Sequence, residues 1–176
     1  MARPLATIKW GMFASSPGKK HETKKALYAE LVEQANALFE GEHDFIANAA
    51  NLSALLFHSL PDLNWAGFYL LKEDGLVLGP FQGKPACVRI AVGKGVCGTA
   101  AQQRRTVVVP DVQKFPGHIA CDSASKSEIV VPLIRFDRVI GVLDLDSPNL
   151  SRFDEEDRRG LEALADVFLN ATDVGD

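Results

Sequence analysis

The 176-residue sequence has no apolar run approaching ~18 residues, the length that a membrane-spanning helix needs. It also lacks an excess of basic residues, since 19 Lys and Arg against 23 Asp and Glu give a net charge of −4. Nucleic acids and anionic membranes attract proteins through such an excess, so neither is an expected partner. Hydrophobic residues at 47% and charged residues at 24% are typical of a globular chain, and the length predicts about one domain.

Cysteine is scarce and odd in number, at three residues. An odd count in a chain long enough to bury its own core is unlike a secreted disulfide scaffold. The N-terminus has no apolar stretch with a cleavage pattern, so a secretory signal is not expected. Residues 1–20 lack acids and contain basic residues and serines, which leaves a weak transit peptide as an alternative. We therefore expect a cytoplasmic protein with reduced cysteines.

Hydrophobic periodicity predicts helices at both ends of the chain and strands between them. Residues 1–21 show no clean period and are interpreted as an N-terminal arm, with residues 22–176 as a single domain. Helical spacing predicts helices over residues 22–40, 44–60 and from 154 onward, while residues 64–81 and 128–146 each predict a β-hairpin. Short strands are expected over residues 87–92 and 106–110. The pattern indicates an α+β fold with about six antiparallel strands and cover on both faces of the sheet.

Three acidic residues of the second predicted hairpin form a candidate site. Asp144 and Asp146 are two residues apart on one strand, so both side chains lie on one face. A three-residue turn centred on Asp137 would pair Glu128 with Asp146 and bring all three carboxyl groups together. There are two alternatives. A two-residue turn would put Glu128 on the opposite face, so the cluster would not form. The acids could also lie at frayed strand ends, where water would solvate them. A formed patch could bind an ammonium group and, with one raised pKa, donate a proton.

Two aromatic residues of the first predicted hairpin form a second candidate. Trp65, Gly67 and Tyr69 share one face of the strand. Aromatic rings separated by glycine would leave a notch with apolar walls, which suits a methyl or thioether group. Ordinary core packing is the alternative interpretation of the same pattern.

The three cysteines favour redox chemistry over metal binding. Cys121 lies in a polar loop near His118 and Lys126, where a thiolate could be stabilised and exposed. A thiolate that takes an oxygen atom becomes a sulfenic acid, which Cys87 or Cys97 could convert to a disulfide. The alternatives are burial as small apolar side chains and a zinc site with His118, although the spacing matches no tight zinc knuckle.

Residues 93–98, GKGVCG, match the glycine spacing of a dinucleotide-binding turn. The helix predicted after them is short, and the rest of the chain predicts hairpins rather than repeated βαβ units. The glycines are therefore expected to bend the backbone around a ligand, with N–H groups available to a carboxylate.

Taken together, the segments FQGKPACVRI, GKGVCGTAA, HIACDSASKSEIVVPL and GVLDLDSP resemble the free methionine-(R)-sulfoxide reductases, which are stand-alone GAF-domain enzymes. The likeness covers residues 24–170, and the three-cysteine pattern distinguishes this family from GAF sensor domains. The resemblance implies a GAF-like fold and reduction of free methionine (R)-sulfoxide to methionine. It also implies an intramolecular disulfide that thioredoxin reduces, with electrons from NADPH through thioredoxin reductase and no bound cofactor or metal.

The resemblance further implies a role for each matching residue. Cys121 matches the nucleophile, and Cys87 and Cys97 match the resolving cysteines, of which Cys87 is preferred. Substrate contacts fall on five residues: Trp65, Tyr69, Glu128, Asp144 and Asp146. A homodimer is expected because GAF domains often dimerise. The alternative function is a non-catalytic GAF module that senses a small molecule.

Overall fold

The structure, a computed structural model, describes residues 22–73, 75–119 and 122–173. Within these ranges the chain forms four α-helices and six strands, in the order α1 (Lys24–Phe39), α2 (Phe45–Ser59), β1 (Trp65–Lys72), β2 (Gly75–Gly83), β3 (Arg89–Ile90), α3 (Gly95–Gln103), β4 (Val107–Val109), β5 (Ser127–Arg135), β6 (Arg138–Ser147) and α4 (Glu155–Ala171). The strands form one antiparallel sheet in the order β3-β2-β1-β6-β5-β4. The predicted α+β fold is confirmed. Cys121 and the N-terminal arm lie outside the described residues.

Side-chain caps determine where the helices begin. The Asp44 carboxylate accepts a hydrogen bond from the Ala47 N–H and caps α2. At α4, the Asp154 carboxylate accepts from the Asp157 N–H, and the Asp157 carboxylate accepts from the Asp154 N–H. These bonds satisfy backbone donors that have no partner inside a helix, so the local sequence determines both helix starts. No helix in the described ranges has the length and apolar character needed to cross a bilayer.

The sheet separates two apolar cores. Helices α1, α2 and α4 cover one face, where Phe68, Leu143 and Leu145 are fully buried. The other face carries Tyr69 and Val142 and is covered by α3 and by loops. Successive strand residues alternate between these faces. The candidate site residues of β1, β5 and β6 therefore all point to the α3 face.

The turn of the second hairpin differs from the one that would bring the acids together. β5 and β6 are joined by only two residues, Phe136 and Asp137, with φ of 48° and 60°. Two residues of positive φ are typical of a hairpin turn that matches the strand twist. With this turn alone, Glu128 would point away from Asp144.

A β-bulge corrects that register. The ladder skips one residue of β6, Ile140, between two neighbouring pairs, Leu133 with Gly141 and Ile134 with Val139. The extra residue shifts the pairing by one position. As a result, Glu128 pairs with Asp146, and Val130 pairs with Asp144. The predicted pairing is confirmed, although the three-residue turn on which it depended is wrong.

The strand expected over residues 87–92 is shorter than predicted, because β3 comprises only Arg89 and Ile90. Cys87 therefore lies in the connection that leads to β3 rather than within a strand. Beyond Ile90 the chain turns into α3 through Gly93 and Gly95, whose φ angles are 81° and 58°. Positive φ is accessible to glycine at little cost, so these residues end the strand early.

Candidate active site

A cleft that is partly open to solvent lies between the sheet and α3. It brings together six of the residues that the sequence predicts for the site: Trp65, Tyr69, Cys97, Glu128, Asp144 and Asp146. Cys87 is adjacent to the cleft, because its carbonyl oxygen accepts a hydrogen bond of 3.0 Å from the Tyr69 hydroxyl. Strand periodicity accounts for the five residues on β1, β5 and β6, whereas Cys97 comes from the first turn of α3.

The three carboxyl groups form a buried cluster. Glu128 and Asp144 are 6% and 5% exposed, and Asp146 is half-buried. Asp144 Oδ1 is buried without a hydrogen-bond donor. Burial of like charges without a partner is unfavourable, so the cluster either retains protons or binds a cation. The alternative in which these acids are solvated at frayed strand ends is wrong.

The carboxyl groups hold protons more tightly than ordinary acids. Burial raises the pKa of Asp144 to about 7, although hydrogen bonds with Cys97 and Glu128 oppose the shift. Burial also raises the pKa of Glu128 well above its ordinary value, and the charges of Asp144 and Asp146 raise it further. The pKa of Asp146 is raised first by burial and then by Asp144. At neutral pH the cluster therefore contains protons that it can donate.

A carboxyl group with a lowered pKa makes the folded protein more stable as pH rises, and the raised pKa values of this cluster have the opposite effect. The pKa of Asp144 rises from an ordinary 3.8 to about 7, so between these values the folded protein binds more protons than the unfolded chain. Linkage makes this contribution to the free energy of unfolding fall as pH rises through that window. We expect the melting temperature of Asp144→Asn, relative to wild type, to increase between about pH 4 and pH 7. If calorimetry at low salt shows the same difference in melting temperature between Asp144→Asn and wild type across this pH range, the raised pKa assigned to Asp144 is contradicted.

The aromatic residues line one wall of the cleft. The Trp65 ring stacks on Tyr69 at a centroid distance of 5.9 Å and on Phe81 at 5.4 Å. A Cβ on Gly67 would lie 2.3 Å from Phe81 Cβ and 2.7 Å from the Trp65 ring. The notch predicted at Gly67 is therefore filled by these two side chains. Trp65 and Tyr69 belong to the core and also line the cleft. Core packing is therefore confirmed, and contact of these rings with a methyl or thioether group stays a prediction.

The two described cysteines have different environments. Cys97 is free and buried, and its Sγ lies 3.9 Å from Glu128 Oε1. Burial raises the pKa of the Cys97 thiol, and the charges of Asp144 and Glu128 raise it further. A thiol that stays protonated is a weak nucleophile. Cys87 is half-buried and is disulfide-bonded.

Gly98 of the GKGVCG segment serves packing, whereas Gly95 lines the cleft, where a backbone bent around a ligand stays a prediction. A Cβ on Gly98 would lie 2.3 Å from the carbonyl oxygen of Ala91, so this glycine allows α3 to approach the preceding turn. Strands joined by a long parallel crossover are absent from the described part of the chain. The GKGVCG spacing therefore has a structural explanation that needs no dinucleotide.

His118 lies beside the acidic cluster. Its Nε2 is 3.8 Å from Glu128 Oε2, and its side chain is 17% exposed. Burial lowers the pKa of His118, which reduces the positive charge that this residue was expected to offer a thiolate. His118 lines the cleft, and its predicted proximity to Cys121 stays a prediction because residue 121 lies outside the described ranges.

A polar network at the mouth of the cleft was missed by the sequence analysis. Asp122 forms an ion pair of 3.2 Å with Lys84 and accepts a hydrogen bond of 3.3 Å from the Asn64 amide. The same amide donates to the Ser125 hydroxyl at 3.0 Å. These contacts join the segment before Cys87 to the segment that follows residue 121. Isolated polar residues in loops have no periodic pattern that could have revealed them.

Comparison with known proteins agrees with this architecture. A GAF domain model matches residues 48–172, so the fold and the match together define a GAF-domain protein. The free methionine-R-sulfoxide reductase of Escherichia coli is 57% identical over 141 residues, covering 80% of this chain and 86% of that protein. The Saccharomyces cerevisiae reductase of the same name is 47% identical over 153 residues, covering 82% and 85% of the two chains.

A solved structure extends the likeness to the folded chain. The free methionine-R-sulfoxide reductase of Neisseria meningitidis, in complex with its substrate, superposes with a TM-score of 0.83 at 47% identity. The match covers 86% of this chain and 92% of that one. The chain belongs to the free methionine-R-sulfoxide reductase family of GAF-domain proteins. The predicted GAF-like fold and the family resemblance are confirmed.

Proposed function

We propose that this protein reduces free methionine (R)-sulfoxide to methionine with its cysteine thiols. The observation that carries the proposal is the buried carboxyl cluster of Glu128, Asp144 and Asp146 in the same cleft as the wall of Trp65 and Tyr69. The relatives named as free methionine-R-sulfoxide reductases support the choice of substrate. The acidic cluster suits the α-amino group, and the aromatic wall suits the S-methyl end of the substrate.

Recognition of the amino group explains why the substrate is a free amino acid. An ammonium group donates hydrogen bonds to carboxylates and compensates for the charges that burial makes unfavourable. A peptide nitrogen is uncharged and continues into a chain, so it would leave buried acids without a partner. Methionine sulfoxide inside a protein is therefore a poor substrate for this cleft.

The first chemical step combines acid catalysis with nucleophilic attack. A carboxyl of the cluster in its acid form protonates the sulfoxide oxygen, which makes the sulfur electrophilic. Asp144 suits this role because its pKa is raised to about 7. The Cys121 thiolate attacks, the S–O bond of the substrate breaks, and methionine leaves. The oxygen and its proton remain on Cys121 as a sulfenic acid.

The second step restores the enzyme. The Cys87 thiol condenses with the sulfenic acid, which forms a disulfide and releases water. Cys87 is favoured over Cys97 because Cys87 is disulfide-bonded in the structure, whereas Cys97 is free and has a raised pKa. Thioredoxin then reduces the disulfide, with electrons from NADPH through thioredoxin reductase and no bound cofactor. Residues 22–176 form the catalytic domain of a cytoplasmic homodimer, and residues 1–21 form its arm.

A coupled assay with thioredoxin, thioredoxin reductase and NADPH tests the proposal. We expect NADPH oxidation with free methionine (R)-sulfoxide and a rate at least ~10²-fold lower with the S epimer or the N-acetylated R epimer, because each misplaces a group that the site must bind. Folded protein without activity on the R epimer would overturn the proposal. Calorimetric binding of the R epimer without turnover would favour the sensing module instead.

A further inference from the structure

Three donor atoms in the cleft have the chemistry of a metal site. Cys97 Sγ and one carboxyl oxygen each from Glu128 and Asp144 lie within 4.8 Å of one another. All three residues are buried, at 3%, 6% and 5% exposure respectively. A thiolate combined with carboxylates is a ligand set that Zn²⁺ and related cations accept. Cys97 has no step in the reaction proposed above, so its place in this set needs another explanation.

One oxygen of Asp144 also points to a cation. Asp144 Oδ1 is buried without a hydrogen-bond partner, and the residue lines the cleft. A buried carboxylate oxygen without a donor is costly, and a bound cation would remove that cost. An ammonium group satisfies only the carboxylates. A thiophilic cation also bonds to the sulfur of Cys97, and the site therefore suits such an ion in the absence of substrate.

We propose that Cys97, Glu128 and Asp144 bind a thiophilic divalent cation, Zn²⁺ or Cd²⁺, in competition with the ammonium group of the amino acid. The inference rests on the proposed function, because that function places the ammonium group on the same carboxyls. Binding forms a metal–sulfur bond and releases the thiol proton to solvent, with no change in oxidation state. Three protein ligands leave a fourth position for water from the cleft. Mg²⁺ requires oxygen ligands and gains nothing from the sulfur.

Cadmium titration of the full-length Cys87→Ser/Cys121→Ser variant tests the site, because Cys97 is then the only thiol in the chain. We expect the ultraviolet sulfur-to-cadmium charge-transfer band to saturate at one equivalent. Adding Cys97→Ser should remove the band, and adding Asp144→Asn should raise the Kd at least ~10-fold, since a lost ligand costs no less than a lost supporting contact. Circular dichroism establishes that each variant is folded. Absence of the band, or its survival without Cys97, overturns the proposal.

Competition tests whether the cation and the ammonium group share the carboxyls. L-methionine should raise the apparent Kd of Cd²⁺ in the same variant, whereas N-acetyl-L-methionine, which has no ammonium group, should not. Equal effects of the two ligands, or no effect of L-methionine, overturn the shared site. The charge-transfer band needs no turnover, so an enzyme inactive in the coupled assay would fail the proposed function and leave the metal result intact.

Discussion

Cys121→Ser is expected to abolish reduction of free methionine (R)-sulfoxide, with kcat lowered by at least ~10³-fold. Serine has nearly the same shape as cysteine, but its hydroxyl stays protonated at neutral pH and is a poor nucleophile toward sulfur. The measurement is NADPH oxidation in the coupled assay, together with chromatography of the methionine formed by prereduced enzyme in a single turnover. We expect no methionine in that single turnover.

Matched serine variants at the other cysteines serve as controls for this result. Cys87→Ser should release one equivalent of methionine and then stop, because the sulfenic acid finds no resolving thiol. Cys97→Ser should keep repeated turnover, since its buried thiol is free and has a raised pKa. One equivalent of methionine from Cys121→Ser would show that another residue is the nucleophile. Repeated turnover by Cys87→Ser would transfer the resolving role to Cys97.

Asp144→Asn is expected to lower kcat/KM by ~10²–10⁴-fold, the range of a lost general acid, while the protein remains folded. The hydrogens of the Asn amide are not acidic, so this side chain cannot protonate the sulfoxide oxygen. Removal of a carboxyl from a buried acidic cluster also removes repulsion, so the melting temperature at pH 7 or above should stay the same or rise. The measurements are steady-state kinetics and calorimetry on the same preparation.

Asp166→Asn provides the matched control for Asp144→Asn. Asp166 is exposed on α4, on the far side of the sheet from the cleft. Its replacement by Asn therefore makes the same chemical change at a solvated position. We expect its kcat/KM to equal that of the wild type. If Asp144→Asn instead melts at a lower temperature and keeps its kcat/KM, the role of Asp144 is structural rather than functional.

Part of this site follows from local periodicity. Alternation along a strand is sufficient to place Asp144 with Asp146 and Trp65 with Tyr69 on common faces. Caps are equally local, because Asp44 contacts a backbone N–H only three residues away. Strand alternation and helix capping could not predict the network that joins Lys84 to Asp122, because a contact between two loops depends on the whole fold.

The register of the second hairpin shows where local reasoning stops. The outcome depends on two features at once, a two-residue turn and a bulge at Ile140, and either one alone would put Glu128 on the wrong face. A bulge has no strong sequence signature here. The pairing of Glu128 with Asp146 was predicted correctly, but from a three-residue turn that the structure does not contain.

The amino-acid sequence by itself determined which side chains share a strand face, where the helices begin and which family the cysteine-bearing segments resemble, because these depend on neighbours along the chain. Only the tertiary structure decided that Phe81 fills the space at Gly67, that His118 lies in a setting that lowers its pKa, and that the pKa of Asp144 rises to about 7. The Phe81 contact depends on the register between β1 and β2. The two pKa shifts depend on how much water the surrounding elements exclude, and distant parts of the chain set that exclusion.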